Sequence, residues 1–324
     1  MVRHNYLLRF GILVLLAGIV AIGYGGFCDD YGLSSKTGNT GSSGIPLAPS
    51  TLTATAVSSA QIDLNWLDNS GVELGFIVES RRGGGAYQAI ATLPANVTYY
   101  ADTNVIDGTV YYYRVYSYNA TCKTSYSEEA SATTTINPPS GLTVTVVSSS
   151  RIDLAWTDNS NAEDGYKIER SPEGVTYTQI AVTAANAITY SDTTVTGETT
   201  YYYRVRAYNA SLNSAYSNAL SATTPLKAPT ATVITRTLPS TVDISWTDNT
   251  GLEDEFRIER KDGTAGTFSQ IGTTIPNTTS YTDTSITNTD QVYFYRVRAY
   301  DADTSKNSAY TNEVSAVFIN FPTG

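Results

Sequence analysis

The sequence predicts an all-β chain: three tandem antiparallel β-sandwiches following an N-terminal hydrophobic segment. Three observations carry this. First, "QIDLNWLDNSGVELGFIVESR", "RIDLAWTDNSNAEDGYKIERS" and "TVDISWTDNTGLEDEFRIERK" are copies of one unit, and their tryptophans, Trp66, Trp156 and Trp246, stand 90 residues apart. Second, apolar residues within a copy recur at every other position. Ile152, Leu154 and Trp156 do so, as do Tyr201, Tyr203, Val205 and Ala207, which is the period of a half-buried strand. Third, the composition is rich in Thr and Tyr, which suit a pleated surface, and only 15% of residues are charged. No segment carries a convincing helical period.

Taken from the N-terminus, residues 1–27 pair a basic start, "MVRHNYLLR", with the apolar run "FGILVLLAGIVAI" (10–22). That run has the length of an export-signal core, and Ala21-Ile22-Gly23 supplies a small-x-small cleavage site. Two other readings stay open. Residues 10–28 carry no charge and approach the ~20 needed for a membrane anchor. Cys28 is a position where a lipid could be attached, although Phe27 before it fits poorly. All three readings export the body of the chain, and membrane contact is expected only through this segment. Residues 28–46, rich in Gly, Ser and Thr, read as a flexible tether whose task is spacing.

The three copies then occupy 47–135, 138–224 and 228–318. Each ninety-residue copy has room for about seven short strands separated by turn residues, such as Asp158-Asn159-Ser160 and Thr196-Gly197-Glu198. The connections "TTTINPPSG" and "TTPLKAPT" are short and contain proline, which predicts restricted joints and a semi-rigid rod. After the third copy the chain runs out in "FINFPTG", with no second hydrophobic anchor expected.

These residues resemble the fibronectin type III family, an immunoglobulin-like architecture, and especially the repeats of secreted bacterial proteins. The likeness rests on the Trp of the second strand, the "DNS…E" turn, the "GYKIER" strand, the "YYYRVRAYNA" strand and the closing "SAYSNALSATT". The resemblance implies that Tyr111, Tyr201 and Tyr293 are corner tyrosines whose hydroxyls bond back to the preceding loop. With the tryptophans they form the expected structural core. The family requires no inter-sheet disulfide, so Cys122 is expected either free in its loop or paired with Cys28. The third copy departs in its first strand, "TATVITRT", which predicts a looser edge there.

Charge and inventory exclude several functions. The formal charge is −10, and residues after 27 carry 18 basic against 30 acidic side chains, a surface that repels nucleic acid. The only histidine is His4 and the only cysteines are Cys28 and Cys122, too few for a Cys/His metal cluster or a Ser–His–Asp triad. No cofactor, metal or catalytic residue is expected, and the chain reads as non-enzymatic; carboxylate-pair chemistry is the open alternative. The loops Asp68-Asn69…Glu73, Asp158-Asn159…Glu163 and Asp248-Asn249…Glu253 are too sparse in oxygen ligands for calcium and read as turn-closers.

One surface stands out. On the sixth strand, Tyr202, Arg204, Arg206 and Tyr208 face outward, as do Phe294, Arg296, Arg298 and Tyr300 in the third copy. Glu79, Glu169 and Glu259 can pair one arginine per strand, Arg114, Arg204 and Arg296. Aromatic rings beside a surplus arginine make a candidate docking surface for a protein or polysaccharide ligand. The sequence therefore reads as an exported spacer and adhesion chain, at the cell surface or extracellular. The alternative is a carbohydrate-binding accessory for extracellular polysaccharide.

Overall fold

The computed structural model describes residues 27–28, 44–238 and 240–318, without the side chains of 236–238 and 304. The predicted export segment with His4, the stretch 29–43 of the tether and the final "INFPTG" lie outside the described residues. Among the described residues no helix is long and apolar enough to cross a membrane. What helical structure is described there is a 3-10 turn at Thr304–Lys306.

The chain divides into two compact units. The first comprises Met1–Val57, Gln61–Thr103 and Val110–Ala132, and the second Ser58–Ala60, Asn104–Thr109 and Thr133–Gly324. The first sandwich is built from β1 (Ser50–Ser58), β2 (Gln61–Leu67), β3 (Gly75–Arg82), β4 (Gln88–Pro94), β5 (Tyr99–Asp102), β6 (Val110–Tyr118) and β7 (Ala130–Thr133). Its two sheets have the orders β1-β2-β5 and β4-β3-β6-β7.

The second unit holds two sandwiches with the same plan. One contains β8 (Ser140–Ser148), β9 (Arg151–Thr157), β10 (Gly165–Ser171), β11 (Thr178–Val182), β12 (Thr189–Asp192), β13 (Thr200–Tyr208) and β14 (Leu220–Thr223). Its sheets run β12-β9-β8 and β11-β10-β13-β14. The other contains β15 (Thr230–Leu238), β16 (Thr241–Thr247), β17 (Glu255–Asp262), β18 (Ser269–Thr274), β19 (Ser280–Asp283), β20 (Val292–Tyr300) and β21 (Val314–Val317). Its sheets run β15-β16-β19 and β18-β17-β20-β21. The fold is all-β, three antiparallel sandwiches in tandem.

Alternation places the core. Along β13, Tyr201, Tyr203, Val205 and Ala207 are buried and the residues between them are half-buried. On β9, Ile152, Leu154 and Trp156 are buried from the facing sheet. Trp66, Trp156 and Trp246 are each 5% exposed and lie 5.8, 5.4 and 5.3 Å from Phe76, Tyr166 and Phe256, ring to ring. Gly165 opens β10 because a Cβ there would meet the Thr183 carbonyl oxygen at 1.9 Å; at Gly75 the Leu93 carbonyl oxygen stands at 2.0 Å. Glu255 holds this position in the third sandwich, so the close approach belongs to the first two.

The acidic loops close on the backbone. Asp68, Asp158 and Asp248 accept from the amides of Ser70, Ser160 and Thr250 at 2.9, 3.0 and 3.0 Å. Asn69, Asn159 and Asn249 donate to the carbonyls of Ala48, Pro138 and Ala228 at 2.9, 2.8 and 2.8 Å, tying each loop to the entry of the first strand. Among the described residues no metal-holding group of three or more carboxylate, His or Cys side chains gathers.

The third copy's first strand keeps its length and loses a clasp. In the second sandwich, Asn218 accepts from the Leu142 amide at 3.0 Å and donates to its carbonyl at 3.2 Å. Thr232 stands in the place of Leu142, and its hydroxyl is buried without a partner. An open groove lined by Pro229, Ala231, Thr232, Tyr310 and Asn312 runs beside it.

One expectation for the N-terminal region is corrected. Cys28 is bonded to Cys122, so its sulfur is not available for a lipid. At the described residues flanking the stretch 29–43, Cys28 is bonded to the Cys122 loop, while Asn119 Nδ2 and Ser117 Oγ donate to the carbonyls of Gly44 and Leu47 at 3.2 and 2.8 Å.

Candidate functional site

The outer face of the four-stranded sheet is built by register. Glu169 lies directly opposite Arg204, as Glu79 lies opposite Arg114 and Glu259 opposite Arg296. Alternation along β10 puts Glu169 on the outer face, and the edge strand β11 carries one extra residue opposite the Ile168/Glu169 step, as β4 and β18 do opposite Val78/Glu79 and Ile258/Glu259. The ion pairs close at 2.6 Å for Arg114–Glu79, 2.7 Å for Arg204–Glu169 and 2.6 Å for Arg296–Glu259.

The rings then stack on the arginines. Arg204 sits between Tyr177 and Tyr216, 4.1 and 3.7 Å from the ring centres. Arg296 sits between Phe268 and Tyr310 at 4.1 and 3.8 Å, and Arg114 between Tyr87 and Tyr126 at 3.9 and 3.6 Å. Tyr216 and Tyr310 donate to Glu169 and Glu259 at 2.9 and 2.6 Å. Each sandwich therefore carries a ladder of ring, guanidinium and ring, tied down by one carboxylate. Sequence reasoning found the arginines and the glutamates. It missed Tyr177, Tyr216, Phe268 and Tyr310, which come from loops outside the strand period.

The surplus arginines are placed as follows. Arg206 reaches Glu169 at 3.2 Å and leans on Tyr216 at 4.8 Å, so one carboxylate serves two guanidinium groups. Arg298 leans on Tyr310 at 4.8 Å. The Nε of each makes no hydrogen bond. Tyr208 lies over Lys167 at 4.9 Å, Phe294 over Lys261 at 4.4 Å, and Tyr300 against Arg257 at 3.1 Å. Tyr202 is half-buried, its ring against Gly174. Both stripes are half-buried throughout, with guanidinium groups already on the rings.

Inside the sheets a second cluster repeats. Tyr113, Tyr203 and Tyr295 donate to Asp102, Asp192 and Asp283 at 3.0, 2.9 and 3.0 Å. Arg170 and Arg260 pair with Asp192 and Asp283 at 2.7 and 2.9 Å; in the first sandwich Ser80 stands at that position. Burial alone would raise the carboxyls of Asp192 and Asp283. Bonds from Thr194 and Ser285, then from the arginine and tyrosine, outweigh it and hold both below the usual range. The buried phenols move the other way, raised first by desolvation and then by the carboxylate. The corner hydroxyls bond back five residues: Tyr201 accepts from the Thr196 amide at 3.0 Å, and Tyr293 donates to the Asn288 carbonyl at 2.8 Å. Tyr111 is buried at the matching place.

The first sandwich alters its outer face. Ile77 and Tyr116 stand where the second has Lys167 and Arg206, and they form a small apolar cluster with Tyr118 and Tyr126. Beside it, Asn119 accepts from the Thr121 and Cys122 amides at 2.9 and 3.0 Å, as Asn209 does from Ser211 and Leu212. Cys122 thus occupies the turn position of Leu212 and bonds Cys28 with the Cα atoms 5.2 Å apart. The Cys28 amide donates to the Lys123 carbonyl at 2.9 Å, and Lys123 lies over Phe27 at 4.7 Å and Tyr116 at 5.2 Å.

Comparison with known proteins agrees with this plan. Residues 137–223 match the family model described as "Fibronectin type III domain". Exoglucanase B of Cellulomonas fimi is 28% identical over 288 residues, which cover 79% of this chain and 24% of that protein. An alpha-amylase of Niallia circulans is 41% identical over 91 residues, 27% of this chain and 6% of that protein. The chain thus spans a quarter or less of the length of these relatives. Among solved structures, a two-domain fibronectin type III segment of chicken tenascin aligns over 54% of this chain and 99% of its own, with a TM-score of 0.48 and 14% identity. The three fibronectin domains FN1–FN3 of chicken CNTN1 align over 86% of this chain with a TM-score of 0.30 and 15% identity. Residues 137–223 match the fibronectin type III domain, and the first and third sandwiches repeat its strand plan.

Proposed function

We propose that the chain is an exported, non-enzymatic spacer that presents repeated sheet faces to an extracellular partner. The observation that carries this is the threefold ladder. In each sandwich the outer arginines, rings and carboxylate satisfy one another, which stiffens a face without gathering carboxylates around a cleft. The cystine supports an oxidising compartment. Within the second unit, Thr250 hydrogen-bonds Glu198 and the Leu226 amide donates to the Lys306 carbonyl at 2.8 Å, contacts that support a stiff joint there. Deleting residues 138–224 from the surface-displayed chain tests the spacer. The distance from cell surface to a C-terminal label shortens on this reading, and an unchanged distance removes it.

A second reading is favoured by the matches to an exoglucanase and an amylase: the sixth-strand stripes hold a polysaccharide, a glucan being the first to test. Tyr202, Arg204, Arg206, Tyr208, Phe294, Arg296, Arg298 and Tyr300 would be the docking surface. Arg206 and Arg298 are half-buried, and the exposed part of their side chains is what a ligand would reach. The double variant Arg206→Ser with Arg298→Ser then loses retention on insoluble glucan or on an acidic polysaccharide at unchanged Tm. Equal retention of variant and parent leaves the stripe as sheet surface.

A further inference from the structure

The shortest covalent route through the first unit does not follow its strands. From the N-terminal side it reaches Cys28, crosses to Cys122 and resumes there, 94 residues further on. Residues 29–121, which contain β1 to β6, form a closed side loop off that route, and β7 alone of this sandwich remains on it. We propose that the Cys28–Cys122 bond is a mechanical bypass. Tension entering from the N-terminal side passes to the second sandwich through β7 alone of the first, and a dithiol reductant puts β1 to β6 back in line.

The crossing is seated as well as bonded. The Cys28 amide donates to the Lys123 carbonyl, Phe27 pairs with Lys123 as an isolated parallel bridge, and the Lys123 ammonium lies over the Phe27 ring. Ile77 and Tyr116 replace the Lys167 and Arg206 of the second copy under this seat. Load delivered at Cys28 therefore arrives on a packed part of the sheet. The substitutions occur in the copy that bears the cysteine and not in the two that lack it.

Both cysteines are half-buried. In the release step one thiolate of the dithiol attacks one sulfur of the cystine, and the other sulfur leaves and takes a proton. The second thiol of the reductant then displaces the mixed disulfide. Two electrons pass to the cysteine pair, which ends as two thiols, and the dithiol ends as a cyclic disulfide.

The proposal takes its use from the spacer reading, and its test is independent of it. The full chain is stretched as single molecules between a handle upstream of Phe27 and one at Gly324. Each fully loaded sandwich of ninety residues releases roughly 300 Å at ~3.3–3.6 Å per residue. Two such steps are expected without reductant, with at most a short step from the first unit, and three with dithiothreitol. The double variant Cys28→Ser with Cys122→Ser gives three under both conditions. Three long steps from unreduced chain that takes up no alkylating reagent overturn the bypass, as do two long steps in both states. If the step count changes as expected while cell-surface distance ignores repeat deletion, the bypass stands and the spacer reading falls.

Discussion

The hydroxyl of Tyr203 donates to Asp192 Oδ2 at 2.9 Å between the two sheets of the second sandwich, where Asp192 has no solvent exposure. The tyrosine comes from the sixth strand and the aspartate from the strand on the facing sheet, so this bond joins the two layers. Arg170 closes the cluster from the sheet of Tyr203.

Asp192→Ala should therefore unfold the second sandwich more readily than loss of a turn would. It strips a partner from a buried phenol and from a guanidinium that is 22% exposed. A cost of about 2–4 kcal/mol is expected, read as a lower urea midpoint at unchanged slope. Asp192→Asn keeps one bond to Tyr203 and should cost less.

The same clusters set the pH range. Asp192 and Asp283 titrate lower in the folded chain than their ordinary 3.8. Their contribution is present above the unfolded value and is lost as pH falls from there through the folded one. Tyr113, Tyr203 and Tyr295 titrate above their ordinary 10.0. Their contribution is complete below that value and disappears as pH rises beyond it. Thermal melts should show stability falling on both the acid and the alkaline side. Phenolate absorbance should show these tyrosines ionising only as the chain unfolds.

The ladder predicts coupling on the outer face. A double-mutant cycle on Arg204→Ala and Tyr216→Phe leaves the ring and removes the hydroxyl that bonds Glu169. A cycle on Arg204→Ala and Tyr216→Ala removes the ring as well. The second should give the larger coupling, about 0.5–2 kcal/mol, because it contains the stacking. Equal couplings would assign the interaction to the carboxylate alone.

Removing the cystine should act on one sandwich. Closing 94 residues restricts the unfolded chain, so reduction is expected to cost about 2–4 kcal/mol. Calorimetry with and without dithiothreitol should move the transition of the first sandwich and leave those of the second unit in place.

Much of this was legible because strands alternate. The 90-residue period and the run "YYYRVRAYNA" placed Trp156 and Tyr203 inside and Arg204 and Arg206 outside, and Glu169 was paired with Arg204 from neighbouring strands alone. Tyr177, Tyr216 and Tyr310 could not be read so, since they lie in connections where no period applies. Asp102, Asp192 and Asp283 each stand two residues after a tyrosine in the sequence. Asp192 and Asp283 close turns, through Thr194 and Ser285, but the buried half of their chemistry faces another sheet. For Cys122 two states stayed open. The pointer to pairing lay in Ile77 and Tyr116, apolar residues where the other copies carry Lys167, Arg206, Arg257 and Arg298.

The bulge of β11 opposite Glu169 also shapes the margin of the sheet. Strands β4, β11 and β18 are outermost in their sheets, and each is paired across such a register shift. On the opposite margin, β7, β14 and β21 are four residues long. A twisted margin and a short one both make poor templates for another chain's strand. Repeats of one strand plan crowded at high density are a setting in which strands exchange between molecules. The edge bulge opposite the ladder's carboxylate thus acts as a guard against aggregation.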